Sequence, residues 1–520
     1  MAAIQSKQIL SGYLIKIAIV VMLLVVGSYL YLRIDISKGK AYSIGSHSRE
    51  TVSSLKDNMV VKIYASKELP GGFGNLNRYL KDILADYKRA GGGKFQYEYV
   101  KTVSQDELRE EAMKNRVQPI AYQMYENDQI VTKEVIFGVV FELMGKFEVL
   151  QLFPGMEAKL EYEITKRIQH LDGNLLPEII VAQDSLYKYY PTRIFGSELN
   201  ANYLTRVTEL DSIPSNKEVM LFTGTTESLS QTRLYNLDQF LMRGGKLVML
   251  QDRVDSNERA AFTFDSNLFS LLEHYGILIH PNLVLDRVCD ERRGRGMGQS
   301  IPYPIYPVVR GGDKSKITKN MDNIVLYLAS EIALLDSVNL KMEKILQTSA
   351  NSGTMLGPVF EVESIIFAPQ GAAFLNQPPK TVGAHFKGKL TSYFSKNPEL
   401  WAKDHINATD KAEIIIFSDR ELFMDPDKAE YMDRSFIVLN AIDHFLNRDS
   451  MIKIRSRNLQ TSILSIPLYM SQLKDLPAEP AAAEQSIKLA FRLIGIILPS
   501  LMLIVLGLVV FLIHRARDLR

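Results

Sequence analysis

The sequence predicts an α/β protein, and three stretches of the chain support this fold class. Residues 219–252 have the pattern of a strand, an amphipathic helix and a second strand, with a glycine pair ahead of the second strand. Residues 413–446 have a buried strand followed by another helix with one apolar face. Residues 60–171 alternate short strands with helices. Because βαβ units build parallel sheets, we expect helices on both faces of a sheet.

Length and composition exclude several classes of protein. The 520 residues are enough for about three domains at roughly 150 residues each. Hydrophobic residues make up 46% of the chain and charged residues 23%, which is typical of globular proteins. Lys and Arg total 61 against 59 acidic residues, so the charge gives no reason to expect nucleic acid as a partner. The lone Cys289 excludes an intramolecular disulfide and a cysteine-rich zinc site.

Two long apolar segments lie near the ends of the chain, at residues 14–32 and 493–513. Each is about as long as a helix that crosses a bilayer, which favours one transmembrane helix at each end. A buried core helix is an alternative for either segment. A cleaved signal peptide is an alternative for the first, with Val26-Gly27-Ser28 as a weak cleavage site.

Basic residues beside these segments predict their orientation. Lys7 and Lys16 precede or begin the first segment, and three arginines from Arg515 onward follow the second. Because basic residues favour the cytoplasmic side, we expect both termini in the cytoplasm. The regions 1–33 and 493–520 then each hold a tail and a transmembrane helix. The bulk of the chain would be extracytoplasmic at the inner (plasma) membrane.

The first globular domain is predicted to span residues 34–175. Its element order, βαβαβββα with Pro119 just before the third strand, resembles the thioredoxin-like fold. Redox members of that fold carry Cys-x-x-Cys at the start of the first helix, where residues 69–74 here contain no cysteine. Because thiol–disulfide exchange needs a thiolate, we expect a binding or structural role for this domain.

The second globular domain is predicted to span residues 176–475 as a larger Rossmann-like α/β domain. It opens with the strand 178–182 and closes with the strand and helix after residue 413. A long insertion occupies residues 286–411, and its first part, 286–312, is predicted to be irregular. Residues 476–492, rich in Pro and Ala at their start, form a linker to the second apolar segment.

Three carboxylates follow predicted strands and are candidate site residues. Asp252, Asp286 and Asp419 each stand at the end of a strand. Ligands of α/β sheets bind at the carboxyl ends of the strands, so these groups could contact one. Each could equally cap the turn that follows its strand.

Basic side chains in the irregular segment complete the candidate surface. Arg292, Arg293 and Arg295 lie there beside a glycine-rich stretch. That stretch is not a dinucleotide fingerprint, because it does not follow a strand and open a helix. The chain has no P-loop, no nucleophile elbow and no metal-ligand spacing among its eight histidines. We therefore predict no catalytic residue, cofactor or metal, and a ligand or partner surface made of Asp252, Asp286, Arg292, Arg293, Arg295 and Asp419.

Five motifs resemble the auxiliary-subunit family of ABC-type transporters, whose best-known members belong to the bacterial gliding-motility transporter. The motifs are Val61–Tyr64, Leu237–Lys246, Leu283–Asp286, Lys389–Phe394 and Ile454–Arg457. The resemblance implies a non-enzymatic extracytoplasmic protein that works beside a permease and a separate ATPase. It also implies a sheet domain similar to class I glutamine amidotransferases without their catalytic cysteine.

The first functional hypothesis is therefore a membrane-anchored accessory or substrate-capturing subunit of an ABC transporter, with an envelope ligand or partner. An envelope scaffold without a transport role is the main alternative. A hydrolase or transferase that uses the carboxylates at the strand ends is a third reading.

Overall fold

The computed structural model has a mixed α/β fold with many strands. The residues that it describes are 43–458, apart from 127–128, 174–175, 183–192, 215–217, 258–259, 294–299, 312–314, 320, 322–323, 337–338, 367–374, 401 and 425–433. Within this part of the chain, no helix is long and apolar enough to cross a membrane. The predicted fold class is corrected accordingly, because a transmembrane helix at each end is not supported. The two segments predicted to form them, 14–32 and 493–513, lie outside the described residues.

The N-terminal part of the described chain contains six strands and four α-helices. In order they are α1 (Ser46–Ser53), β1 (Met59–Ala65), α2 (Gly71–Gly91), β2 (Phe95–Tyr99), α3 (Gln105–Lys114), β3 (Ile120–Glu126), β4 (Gln129–Val135), β5 (Phe137–Leu143), β6 (Lys146–Gln151) and α4 (Leu160–Leu171).

Four of these strands form one sheet in the order β2-β1-β5-β6. Strands β1 and β2 are parallel, whereas β5 runs antiparallel to both β1 and β6. Strands β3 and β4 form a separate two-stranded antiparallel sheet among the described residues. The sequence predicted all of these elements except α1 and β4, and the resemblance to the thioredoxin-like fold stays a prediction.

The larger C-terminal part contains the remaining elements. They are β7 (Glu178–Ala182), α5 (Arg193–Asn202), β8 (Leu204–Thr208), β9 (Val219–Phe222), α6 (Gln231–Met242), β10 (Lys246–Leu250), β11 (Val254–Ser256), β12 (Ala261–Thr263), α7 (Asn267–Tyr275), β13 (Ile277–Ile279), β14 (Asn282–Asp286), β15 (Cys289–Arg293), β16 (Ser300–Gly311), β17 (Ile324–Val325), β18 (Ile332–Leu334), β19 (Leu340–Gln347), β20 (Ser352–Leu356), β21 (Val359–Phe360), α8 (Val362–Ile366), β22 (Thr381–Gly388), β23 (Leu390–Thr391), β24 (Ala408–Thr409), β25 (Glu413–Phe417), α9 (Phe436–Phe445) and α10 (Asp449–Asn458).

A parallel sheet with the order β8-β7-β9-β10-β25 is the centre of this part. Numbered along the chain, this order is 2-1-3-4-5, one of the two common orders of doubly wound sheets. Strand β22 joins β25 antiparallel, and β19 and β16 extend the sheet further. The segment 286–312 was predicted to be irregular, but its described residues 289–293 and 300–311 form strands β15 and β16.

Alternating side chains of the central strands pack into two hydrophobic cores. Val248 and Leu250 of β10 pack on one face with residues of α5 and α9. Leu247 and Met249 pack on the other face with residues of α6 and α7. Helices on both faces explain why β7, β10 and β25 are apolar after a charged first residue, as expected for a buried parallel sheet.

A polar junction joins helix α4 to the larger part of the chain. The Tyr162 hydroxyl donates to Glu198 at 3.1 Å, and the Lys166 ammonium lies 3.2 Å from the same carboxylate. The fully buried Arg455 stacks over the Tyr162 ring at 5.4 Å and forms an ion pair with Asp443. Side chains of α4, α5, α9 and α10 thus share one network.

Candidate functional site

Two of the predicted carboxylates lie side by side at the carboxyl ends of the parallel neighbours β10 and β25. Asp252 is buried and accepts a hydrogen bond from Nε of Arg420 at 2.7 Å. Its second oxygen accepts from the Arg420 backbone N–H at 3.1 Å. The Arg420 guanidinium also stacks over the Phe264 ring at 5.0 Å. Asp252 is therefore occupied by a buried ion pair and does not face an open crevice.

Asp419 is fully buried and performs the turn-capping role that the sequence allowed. It accepts hydrogen bonds from the backbone N–H groups of Glu421 at 2.7 Å and Tyr327 at 3.0 Å. Burial raises the pKa of Asp419 to about 7, although the Arg434 guanidinium, 3.9 Å away, opposes that rise. Arg434 is itself buried and stacks over the Tyr327 ring at 4.4 Å.

Of the three candidate arginines, Arg292 is the one whose side chain the structure describes. Its Nε lies 2.8 Å from Asp290, and its guanidinium is 5.1 Å from the Tyr306 ring. Tyr306 packs edge to face on Tyr327, so Arg292 adjoins the cluster around Asp419. Arg293 ends β15, and Arg295 lies outside the described residues.

Asp286 is also a structural residue. It accepts hydrogen bonds from the Val288 backbone at 2.9 Å and from the Ser349 hydroxyl at 2.6 Å. Burial raises the pKa of the nearby Cys289 thiol to about 12, and the negative charge of Asp286 contributes to this shift. A thiol with this pKa is protonated at neutral pH, so Cys289 is a poor nucleophile.

A close backbone approach helps to fill the carboxyl ends of the parallel strands. Gly224, two residues after β9, has φ of +84°. A Cβ atom at this position would lie 2.2 Å from the Leu250 carbonyl oxygen and 2.8 Å from a side-chain carbon of Arg420. The strand-end cluster, defined as Asp252, Asp419, Arg420 and Arg434, therefore has backbone packed against it.

Two of the motifs that carry the family resemblance meet at a buried carboxylate. Asp238, in the helix motif, accepts hydrogen bonds from the Ser392 hydroxyl at 2.7 Å and the Tyr393 backbone at 2.8 Å. The Tyr275 hydroxyl donates to it as well, at 2.8 Å. Arg455, from another motif, is the buried arginine of the polar junction. The contacts of these motif residues stabilise the fold.

An open cavity of about 610 Å³ lies at the carboxyl ends of β1 and β2 in the N-terminal part. The loop after β1, the segment between β2 and α3, and the end of β4 surround it. Its charged lining residues are Lys67, Glu68, Lys101, Lys133 and Glu134. We call this space the β1–β2 cavity. The sequence analysis did not predict it, because its walls come from three separate segments of the chain.

Hydrogen bonds fix the loops around the β1–β2 cavity. The Ser66 hydroxyl accepts from the Ile136 backbone at 2.9 Å and from the Gln105 side chain at 2.8 Å. Ser104 caps helix α3 by accepting from the Glu107 backbone at 3.1 Å. A cavity with walls held in this way is largely formed before a ligand binds.

The fold also brings together a group of side chains that linear spacing hides. His385, Glu413 and His444 each offer one ligand atom, and these atoms all lie within 4.8 Å of one another. The residues come from β22, β25 and α9, so no short motif could reveal them. In the sequence, the available signal was His385 itself, a polar residue between the apolar Ala384 and Phe386 of β22.

Comparisons with known proteins give the family. A family described as an ABC-type uncharacterized transport system matches residues 174–441, and a domain of unknown function matches residues 38–142. An uncharacterized protein of Borreliella burgdorferi is 22% identical over 455 residues, which cover 83% of this chain and 86% of that protein.

Similarities to solved structures are weak. The N-terminal domain of mmIFT52 is 17% identical and has a TM-score of 0.31, over 51% of this chain and 96% of that one. A ThuA-like protein from Bacteroides uniformis is 10% identical and has a TM-score of 0.29, over 52% and 93% of the two chains. Scores this low carry no argument about fold or function.

The family match covers a little over half of the 520 residues. It confirms the predicted resemblance at the level of the auxiliary family, while the gliding-motility type stays a prediction. The protein therefore belongs to the family described as an ABC-type uncharacterized transport system, with an accessory role in transport.

Proposed function

We propose that this protein is a non-catalytic accessory subunit that captures a ligand and works with a separate permease and ATPase. The observation that carries the proposal is the family match over residues 174–441. The expectation of a separate permease and ATPase rests on the resemblance of the five motifs to the transporter family.

The chemistry of the strand ends supports a non-catalytic role. The groups best placed for catalysis, Asp252 and Asp419, are buried and already accept hydrogen bonds from neighbouring residues. Catalytic acids and bases need access to a substrate within hydrogen-bond distance. Cys289 has a raised pKa, which disfavours the thiolate that covalent catalysis requires.

The β1–β2 cavity is the proposed place of ligand capture. Its volume of about 610 Å³ falls in the range of ~300–1,000 Å³ that is typical of small-molecule sites. Both signs of charge line it, and Lys67, Glu68 and Lys101 are exposed. We expect a polar ligand or a polar segment of an envelope protein to occupy it.

The proposal also includes a cellular location and a subtype within the family. A subunit that works with a permease would reside at a bacterial plasma membrane, held there by that partner and with its globular part extracytoplasmic. The resemblance to the gliding-motility-associated type rests on the five motifs quoted above.

Co-purification tests the proposal directly. The full chain carries an affinity tag and is cross-linked in cells before mild detergent extraction, and cells that also express excess untagged chain serve as the competition control. We expect a permease and an ABC ATPase to co-purify and to be lost on competition. Absence of both, together with defective envelope assembly and unchanged transport after deletion, would favour the scaffold alternative and contradict the proposal.

A further inference from the structure

The amino-terminal end of β25 brings a carboxylate and two imidazoles together. Glu413 is the first residue of β25 and pairs with Lys387 of the antiparallel strand β22. His385, two residues before Lys387, extends to the same face, because side chains alternate along a strand. Helix α9, which carries His444, packs on the same sheet. This site is at the opposite end of β25 from the strand-end cluster.

Distances within the group suit a metal ion. His385 Nε2 lies 2.9 Å from Glu413 Oε2, and the rings of His385 and His444 are 5.4 Å apart and perpendicular. All three ligand atoms lie within 4.8 Å of one another. Zinc–ligand bonds of about 2.0–2.2 Å place ligand atoms roughly 3.4 Å apart in a tetrahedral site. To reach this geometry, separations of up to 4.8 Å would shorten by about 1.4 Å, and the 2.9 Å between His385 and Glu413 would lengthen by about 0.5 Å.

An unpartnered atom gives a second and independent indication. Nδ1 of His444 is buried and has no hydrogen-bond partner among the described residues. A carboxylate oxygen of Asp449 is 4.0 Å from this nitrogen, which is too far for a hydrogen bond. Because buried polar atoms nearly always have a partner, an atom left in this way points to a ligand.

The protonation of the imidazoles is compatible with coordination. Burial lowers the pKa of His385 to about 4, and the positive charge of Lys387 contributes. Burial also lowers the pKa of His444, with Lys387 again contributing. Coordination needs a neutral imidazole, and the proton that His385 Nε2 donates to Glu413 would have to move to Nδ1 before Nε2 binds a metal.

Nearby lysines define which ions could bind. Lys387 Nζ lies 3.0 Å from Glu413 Oε2, and Lys246 and Lys316 are also close enough to influence these groups. A bound cation must displace the Lys387 ammonium, whose side chain is 50% exposed and can move into solvent. Imidazole ligands favour borderline transition metals, whereas Mg²⁺ and Ca²⁺ prefer oxygen ligands.

We propose that His385, Glu413 and His444 bind one divalent transition-metal ion of the Zn²⁺ class, with water in the remaining coordination position. Two histidines and one glutamate are an established donor set for Zn²⁺. The site would join strands β22 and β25 to helix α9, and its metal would therefore stabilise the fold. This inference is independent of the transport role.

The test is Zn²⁺ titration of the metal-free full chain in competition with a chromophoric chelator. His444→Ala is the main variant, because it leaves the His385–Glu413 hydrogen bond intact. The matched control is His274→Ala, which removes an exposed histidine bonded to the Thr391 carbonyl. We expect one Zn²⁺ per chain for the parent and the control, and at least a tenfold loss of affinity for His444→Ala.

Two further measurements distinguish a built site from surface binding. Lys387→Met removes the competing ammonium, so we expect it to bind Zn²⁺ several-fold more tightly. Co²⁺ should give visible d–d bands with the parent that disappear with His444→Ala, while circular dichroism shows both chains folded. Equal affinities for the parent, His444→Ala and His274→Ala, or no binding by the parent, would overturn the proposal.

Discussion

The carboxyl ends of parallel strands are filled in one part of this molecule and open in the other. At β10 and β25, the strand-end cluster buries two carboxylates against two guanidinium groups. At β1 and β2, the equivalent position is a cavity of about 610 Å³. Both positions are where α/β proteins usually bind ligands. This difference is the basis of our proposal that the larger sheet is a scaffold and that recognition belongs to the smaller one.

The largest expected effect is the loss of the buried ion pair. Arg420→Met leaves Asp252 buried without its partner, which should lower the free energy of unfolding by about 3–5 kcal/mol. Arg109→Met is the control, since its ion pair with Glu134 is solvent-exposed and should contribute about 1 kcal/mol or less. Urea denaturation measures both. Similar small losses in the two variants would show that the strand-end cluster is not a stabilising core.

A pair of glycines provides a second comparison of the filled and open ends. Gly224→Ala places a Cβ against the Leu250 carbonyl and should cost about 2–4 kcal/mol. Gly71, beside the cavity, has φ of +43° but its nearest neighbour to an added Cβ is 3.8 Å away. Gly71→Ala should therefore cost only about 1 kcal/mol, from backbone strain alone. Thermal unfolding measures which of the two variants loses more stability. Equal losses in the two variants would contradict this prediction.

The buried Asp419 predicts a pH dependence of stability. Its folded pKa of about 7 lies above the ~3.9 of an unfolded aspartate. Between these values the folded chain holds a proton that the unfolded chain has lost, so this contribution to stability falls as pH rises. Arg434, Glu421 and Asp252 are the charged groups that influence it.

Asp419→Asn removes this titration. The difference in unfolding free energy, parent minus variant, should fall from pH 4 to pH 7 by about 1 kcal/mol per unit. Denaturant titrations across this range measure the slope. A difference that is flat or rises with pH would show that Asp419 is ionised in the folded chain.

The smallest effect on stability is expected at the cavity. Lys101→Glu changes an exposed charge and should alter the unfolding free energy by no more than about 0.5 kcal/mol. Transport should nevertheless fall several-fold, because the charge of the ligand site is reversed. Lys396→Glu, at an exposed site outside the cavity lining, is the matched control and should have no effect on either measurement.

The periodicity of apolar residues predicted the helices with a continuous apolar face well. It did not predict strands whose residues are exposed or rich in proline. Helix α7 and helix α4 lie where the sequence placed them, because their apolar faces are continuous. Strand β8 was missed, since most of its residues are exposed at a sheet edge. Strand β16 was missed because Pro302, Pro304 and Pro307 are typical of a loop. The strand tolerates these prolines because it pairs with its neighbours only in part.

The candidate site residues show the same limit of prediction from sequence patterns. Asp252 and Asp419 were correctly placed at strand ends, since a run of apolar residues precedes each. Their partners could not be predicted, because Arg420 contacts Asp252 across 168 residues of sequence. The β1–β2 cavity and the histidine group likewise arise from contacts between distant elements. Sequence patterns predict which residues are buried, but they do not predict which buried groups meet.

The most direct test of the account is transport measured with two variants in the same complex. Asp419→Asn alters the strand-end cluster, and Lys101→Glu alters the β1–β2 cavity. An accessory subunit that captures its ligand in the cavity should keep near-parental transport with Asp419→Asn and lose most of it with Lys101→Glu. Loss of transport with a folded Asp419→Asn chain, together with full transport by Lys101→Glu, would contradict the account.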